Sequence, residues 1–192
     1  MSVFFTSDTH FGHKNIIVFE KENRPFQDVS DMDWVLIKNW NSIVDSDDVV
    51  IHLGDAAMGD INHTIGLMSK LNGHKILVPG NHDSVFSGNK PDYVQKWMPL
   101  YRTVFAEIWP EEYDFSLSNG TEVTLSHFPY DKDERHEDRY AAFQPTDRNL
   151  PLLHGHVHST WAINGRQYNV GVDVHGLKPV SELEIISWVD SL

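Results

Sequence analysis

The chain has 192 residues, 40% of them hydrophobic, with six tryptophans and a formal net charge of −13. That length is most simply one domain, residues 1–192, with enough apolar surface for a full core. The charge disfavours a broad surface for long nucleic acid; the absence of cysteine excludes disulfides, thiolate nucleophiles and cysteine-bound zinc; no apolar run is long enough to span a bilayer.

The segment Met1-Ser2-Val3-Phe4-Phe5 lacks a basic stretch and runs straight into Asp8, so it reads as a strand rather than a signal peptide, and a cytoplasmic protein is expected. Val3 to Ser7 forms a first buried strand. Asp8 and His10 follow, two residues apart. Persisting extended backbone would send both side chains to one side, as two ligands of one metal require. One helical turn is expected near Lys14–Val18, with His13 either reaching the site or lying on the surface. Ser30 with Asp33 has the spacing of a capping box. Met32, Val35, Leu36, Trp40, Ile43 and Val44 then recur at helical spacing, a packing stripe.

Val49 to Leu53 forms a second buried strand, with His52 packed inside it, and Gly54-Asp55 closes it. Asp60 is a candidate cap for a helix that puts Ile61, Ile65, Met68 and Leu71 on one face, and Asn72-Gly73 stops it. Ile76-Leu77-Val78 is the third strand, and Pro79-Gly80-Asn81-His82-Asp83 follows. Gly80 permits a tight turn there, Asn81 offers a neutral oxygen ligand, and His82 a proton carrier. Strand–helix–strand–helix–strand implies parallel strands with crossover helices. Ligands then collect at the carboxyl ends of the strands, where Asp8, Asp55 and Asn81 sit.

In the second half, Pro91 opens a short helix that includes Trp97. Thr103–Trp109, Phe115–Ser118 and Thr121–Leu125 read as short strands. Asn119-Gly120 is a hairpin signal, and the strand after it delivers His127. Residues 131–148 carry Lys132, Arg135, Arg139 and Arg148 among more numerous acids. A solvated surface helix is expected there; a lid whose cations touch a substrate phosphate is the alternative. Pro151–His154 leads into Gly155-His156-Val157-His158. Trp161–Asn164 and Gln167–Val172 flank Gly165-Arg166 as a hairpin, and Ser181 with Glu184 opens a final helix. His154 and His175 read as structural.

Taken together, Asp8-Thr9-His10, Gly54-Asp55, Gly80-Asn81-His82-Asp83, Ser126-His127 and Gly155-His156-Val157-His158 resemble, in that order, the motifs D-x-H, G-D, G-N-H-[DE], H and G-H-x-H of the calcineurin-like metallophosphoesterases. The resemblance is to their small single-domain bacterial and phage-type members. It implies an α/β fold of two mixed β-sheets packed as a sandwich flanked by helices, αββα in four layers. Asp8, His10, Asp55, Asn81, His127, His156 and His158 form a nitrogen–oxygen ligand set without sulfur. Such a set suits divalent transition metals, manganese first, with iron, zinc, cobalt or nickel also compatible, better than calcium. These groups are too many for one metal with an open position and suit two metals sharing Asp55.

The resemblance assigns one metal to Asp8, His10, Asp55 and His158, and the other to Asp55, Asn81, His127 and His156. Two-metal sites of this kind hold their ions roughly 3.5–4 Å apart. A metal-bridging hydroxide would attack phosphorus, and His82 would protonate the leaving oxygen or stabilise the phosphoryl oxygens. Protein serine/threonine phosphatases of the family carry an acid and then an arginine where this chain has Met58 and Gly59. Phosphoprotein phosphatase activity is therefore not expected, and Asp83 is a candidate for orienting His82. The function expected is a phosphodiesterase acting on small nucleotide-type diesters, with no membrane partner. A phosphomonoesterase with the same centre is the second reading. A protein-binding scaffold with a vestigial site is the third.

Overall fold

A computed structural model describes residues 1–131 and 137–192, and the side chains of all of these except 137–139. Ten strands form two five-stranded sheets among the described residues. The first sheet has the order β10-β1-β2-β3-β4, from β1 (Val3–Thr6), β2 (Val49–His52), β3 (His74–Leu77), β4 (Glu107–Ile108) and β10 (Val180–Ser181). Its first four strands run parallel, and β10 pairs antiparallel with β1. The second sheet has the order β5-β6-β7-β9-β8, from β5 (Glu112–Ser116), β6 (Glu122–Ser126), β7 (Leu152–His154), β8 (Ile163–Asn164) and β9 (Gln167–Asn169). There β6, β7 and β9 are parallel, and the two edge strands antiparallel. Both sheets are mixed, as the resemblance implies.

The short apolar runs of β1 and β2 are buried on both faces, because successive side chains point to opposite sides of the sheet. Phe4, Val50 and Leu77 face a cluster with Met32, Leu36 and Trp40 of α2 (Val29–Asn41), Ile65 of α3 (Ile61–Leu67) and Tyr101 of α4 (Pro91–Tyr101). Phe5 and Ile51 face the other way, into a cluster with Val123, Leu125, Leu153 and Tyr168 of the second sheet. Ile185 and Trp188 of α5 (Glu182–Val189) close that cluster beside β10. No helix among the described residues is long and apolar enough to cross a membrane.

Several local expectations shift. The cap of α2 is Asp28, whose side chain accepts from Asp31 N at 2.9 Å, not Ser30. Asp33 is instead buried and accepts from Gly12 N at 3.0 Å. Asp60 precedes α3 without a side-chain cap, whereas Ser181 and Glu184 form the full capping box expected of α5. The helical turn expected near residue 14 is α1 (Ile16–Phe19), and residues 103–106 turn out of α4 rather than extending β4. Lys132 and Arg135 lie outside the described residues, as does the side chain of Arg139. Arg148 is tied to Asp114 and Glu112 on β5, at 2.5 and 2.9 Å, which commits its guanidinium to carboxylates rather than to a phosphate.

Candidate metal centre

Register brings the motifs together. Thr6, His52 and Leu77 are aligned across β1, β2 and β3, so the loops bearing Asp8, Asp55 and Asn81 leave the sheet side by side. His127 follows β6, while His156 and His158 follow the adjacent parallel strand β7. An isolated bridge between Ser7 and Gly171 ties the two sheets at this end.

The loops do not continue as extended backbone. Asp8, His10, Asp55, His156 and His158 all have positive φ, between 49° and 70°. L-residues adopt that region at a cost on the order of 1 kcal/mol each. Asp8 and His10 therefore share a side through paired left-handed residues, not through strand alternation; His156 and His158 have the same backbone, but the His158 ring stacks on His10 at 5.1 Å while the His156 ring lies against His127 at 5.2 Å. Arg24 supports the first of these turns. Its buried guanidinium donates to the carbonyls of Asp8 and Thr9 at 2.5 and 3.1 Å.

Gly80 opens the expected tight turn, closed by Asp83 N on Gly80 O at 3.1 Å, but without positive φ; it is needed for close approach. A Cβ there would strike Asp55 N at 2.7 Å and His127 Nδ1 at 2.8 Å. Asp83 stitches the same loops. Its carboxylate accepts from Asp55 N (2.8 Å), Gly80 N (2.9 Å) and Ala56 N (3.1 Å). Burial, with the nearby Asp55 charge, pushes the Asp83 carboxyl up to about 7. It thus faces backbone rather than the His82 ring. What anchors His82 is its own N–H, which donates to Asp55 Oδ1 at 2.8 Å.

Ligand-type atoms converge at the centre of these loops. Those of Asp8, His10 and His158 lie within 4.8 Å of one another, as do those of Asp8, Asp55 and His127. Asp8 thus belongs to both compact groups, a sharing not expected from the sequence. Asp55 Oδ2 lies 3.5 Å from His10 Nε2 and 3.4 Å from His127 Nε2, between the two. Asn81 Oδ1 is 3.2 Å from His127 Nε2, and the His156 ring centroid is 5.2 Å from that of His127. His82 stands at the mouth, 41% exposed, with Nε2 4.0 Å from Asp55 Oδ2.

The hydrogen bonds decide what such a cluster can hold. His127 Nδ1 lies 2.7 Å from Leu53 O, an acceptor, so Nδ1 carries a proton and the neutral ring presents an Nε2 lone pair. That lone pair faces Asp55 Oδ2 and Asn81 Oδ1. His158 Nδ1 is engaged by Asp173 Oδ2 at 2.8 Å, which aims its Nε2 inward. Asp8 Oδ1 and His10 Nε2 are buried without a hydrogen-bond partner. Burial pushes the Asp8 carboxyl up. Burial also opposes the Asp55 carboxylate, but the imidazoles of His127, His10 and His82 hold its carboxyl well below the usual range. His127 is raised to about 9 against its burial, by Asp55 first. Asp8 Oδ1 and His10 Nε2 are left without partners, and a cation can take the place of the proton that His127 otherwise directs at Asp55 and Asn81; this nitrogen–oxygen set fits divalent metal ions.

A family model for calcineurin-like phosphoesterases matches residues 1–180. The chain belongs to the calcineurin-like phosphoesterase family. Among its relatives, a gene 66 protein of Mycobacterium phage L5 is 36% identical, covering 100% of this chain and 95% of its own length. A gene 66 protein of Mycobacterium phage D29 is 33% identical over 95% of this chain and 94% of its own length. An uncharacterized protein of Methanocaldococcus jannaschii is 31% identical over 93% and 86% respectively. A crystal structure of a protein of unknown function from Aquifex aeolicus superposes with a TM-score of 0.72 at 31% identity, over 97% of this chain and 98% of that one. As a calcineurin-like phosphoesterase the protein is a hydrolase whose family implies divalent metal ions.

Two supporting residues escaped sequence reasoning. Asp173 receives Arg24 Nε at 2.6 Å and a second guanidinium nitrogen at 3.0 Å, while also engaging His158. Burial works against the Asp173 carboxylate, but His158 and Arg24 hold its carboxyl down at about 2. The only sequence signal was an arginine in an irregular segment. Among the described residues, His52, His154 and His175 are structural and His13 is adjacent to the cluster. His52 Nε2 meets Thr9 Oγ1 at 2.9 Å, and His154 Nδ1 meets Gly155 O at 2.7 Å. His175 Nε2 meets Asn169 O at 2.7 Å. His13 Nδ1 lies 3.3 Å from His10 Nδ1, against the cluster but behind its inward-facing atoms.

Proposed function

We propose that this chain, as a single domain, is a two-metal phosphodiesterase of small nucleotide-type diesters. Asp8, His10, Asp55 and His158 would hold one ion, and Asp55, Asn81, His127 and His156 the other. Bound there, the ions would activate water at neutral pH and offset the charge growing on the phosphoryl oxygens. The observation that carries the reading is the placement of Asp55 Oδ2 between His10 Nε2 and His127 Nε2, at 3.5 and 3.4 Å. One carboxylate oxygen facing both ligand groups is the arrangement that two ions sharing a ligand need.

The chain's own residues supply the rest. The Asp83 carboxylate and the Gly54–Gly80 approach fix the loops before substrate arrives, so little reorganisation accompanies reaction. His82, exposed at the mouth and anchored by its N–H to Asp55, is positioned to deliver a proton to the leaving ester oxygen.

Preference for a diester is supported by the surroundings of His82. Two clefts meet at its ring. One, of about 420 Å³, is lined by His10, His13, Ile16, Phe19, Glu20, Met58, His82 and His158. The other, of about 320 Å³, is lined by Asn81, His82, Asp83, Ser84, Asn89, Lys90 and Tyr93. A diester carries a substituent on each side of phosphorus and can use both. The larger cleft has no lysine or arginine among its lining residues, which gives a dianionic monoester little added grip.

The test compares hydrolysis of bis-p-nitrophenyl phosphate and p-nitrophenyl phosphate in manganese, before and after chelation. The expected result is faster diester cleavage, removed by chelator and restored by manganese. Monoester preference would replace this reading with a phosphatase, and chelator-resistant activity would overturn the metal mechanism.

A further inference from the structure

The larger cleft beside His82 has a composition that phosphate chemistry alone does not explain. Its outer wall is Phe19, an apolar ring left 69% exposed at the end of α1. The Phe19 ring meets His13 nearly edge-on, with centroids 6.2 Å apart and planes at 73°. His13 in turn lies against His10, centroids 5.1 Å apart. A run of aromatic faces thus leads from the cluster outward. Ile16 and Met58 complete the apolar lining, and a thioether adapts readily to ring edges.

The one acid of the lining, Glu20, is engaged by the Ser159 hydroxyl at 2.5 Å, which draws its carboxylate to the Ser159 side. The cleft is continuous with His10, His82 and His158, so a group seated in it stays covalently close to a phosphoryl group at the cluster. Its volume, about 420 Å³, is within the range of small-ligand pockets, roughly 300–1,000 Å³.

We propose that this cleft is the subsite for a flat, uncharged ring carried on an ester oxygen of the substrate, with Phe19 as its stacking face and His13 and Met58 at its edges. The proposal rests on the adjoining cluster being a phosphoryl site. A nucleobase and a simple aryl group share the chemistry that the cleft recognises. A flexible alkyl chain would gain the apolar contact but not the stacking.

The experiment is calorimetric binding to the manganese-loaded protein of four ligands that share a phosphate: adenosine monophosphate, phenyl phosphate, n-hexyl phosphate and ribose 5-phosphate. Stacking on an aromatic side chain is worth enough to raise affinity by about tenfold. The two ring-bearing ligands should bind about tenfold more tightly than ribose 5-phosphate. Phe19→Ala should erase that margin, and Phe19→Trp should keep it. Because Phe19 is largely exposed, neither change threatens the core.

Adenosine monophosphate ahead of phenyl phosphate would make the ring a nucleobase; equality would make any aryl group sufficient; both support the subsite. Equal affinity for ribose 5-phosphate and the ring-bearing ligands would overturn it while leaving the phosphoryl site standing. So would hexyl phosphate matching phenyl phosphate, or a margin that survives Phe19→Ala. Failure of all four to bind would overturn the subsite, while the phosphoryl site itself is judged separately by cleavage of bis-p-nitrophenyl phosphate.

Discussion

At the scale of single residues, the proposed centre divides its work between one carboxylate and one imidazole. Asp55 is buried, spans His10 and His127 through Oδ2, and holds the backbone of His82 through Oδ1. His82 is exposed and, among the described residues, makes no close side-chain hydrogen bond that would fix it as a ligand. The two residues should therefore fail differently. His82→Ala should retain bound manganese and lose rate by about 10²–10⁴, the usual worth of a general acid. Metal analysis beside diester turnover reads both effects. Loss of metal in that variant would place His82 among the ligands instead.

The gathering of these side chains is legible in the sequence; their roles belong to the proposal. The seven ligand candidates and His82 were singled out by residue type and motif order, and the structure gathers them at one end of the two sheets. The backbone that does so was not readable. Asp8-Thr9-His10 and His156-Val157-His158 have no glycine at those positions to mark left-handed φ, and Asp and His, although they enter that region more often than most residues, do so too rarely to predict it. The strain is sustained by contacts from far away, such as Arg24 on the carbonyl of Asp8.

At the scale of elements, the site is a set of loops locked to one another. The long-range relay from Arg24 through Asp173 to His158 joins the segment after α1 to the segment after β9. Residues 149 positions apart leave no local pattern, so this relay could not be found in the sequence. Asp28 displaced Ser30 as the cap of α2 for a similar reason: Asp33 is drawn into the core side by Gly12 N and cannot complete a box. The capping box of α5, wholly local, was legible.

Asp173→Asn tests the relay. The amide cannot hold a charge opposite Arg24, and it no longer fixes the His158 tautomer. Outer partners of metal-bound histidines typically contribute 10–100-fold in metal affinity. Manganese affinity should drop by about that range at the site containing His158, measured by competition with a metallochromic chelator. An unchanged affinity would reduce the relay to a packing feature.

At the scale of the whole molecule, two mixed sheets share one core, and their register brings loops from both sheets to one centre. Three strands of the first sheet, β1, β2 and β3, were legible from their short apolar runs, whereas β4 is shorter than expected and the two-residue β10 leaves no apolar run to read. The second sheet was read as short strands without its order, since β7 lies between β6 and β9 and no local signal records that placement.

Asp33 adds a pH dependence to global stability. Burial raises its carboxyl to about 6. A carboxyl raised on folding favours the folded state while protonated, so its contribution is present below about pH 4 and is lost as pH rises through about 6. Asp33→Asn should therefore gain stability relative to the parent protein on going from pH 4 to pH 7, by up to about 2 kcal/mol. Urea unfolding of both proteins at the two pH values checks this. A difference independent of pH would contradict it.

The central claim is that two divalent ions share Asp55. Calorimetric titration of chelator-treated protein with manganese tests it most directly. The parent protein should take up two equivalents per chain, and Asp55→Asn should weaken both sites by at least about tenfold. A single equivalent in the parent protein, or one site left intact in Asp55→Asn, would contradict the shared-carboxylate centre.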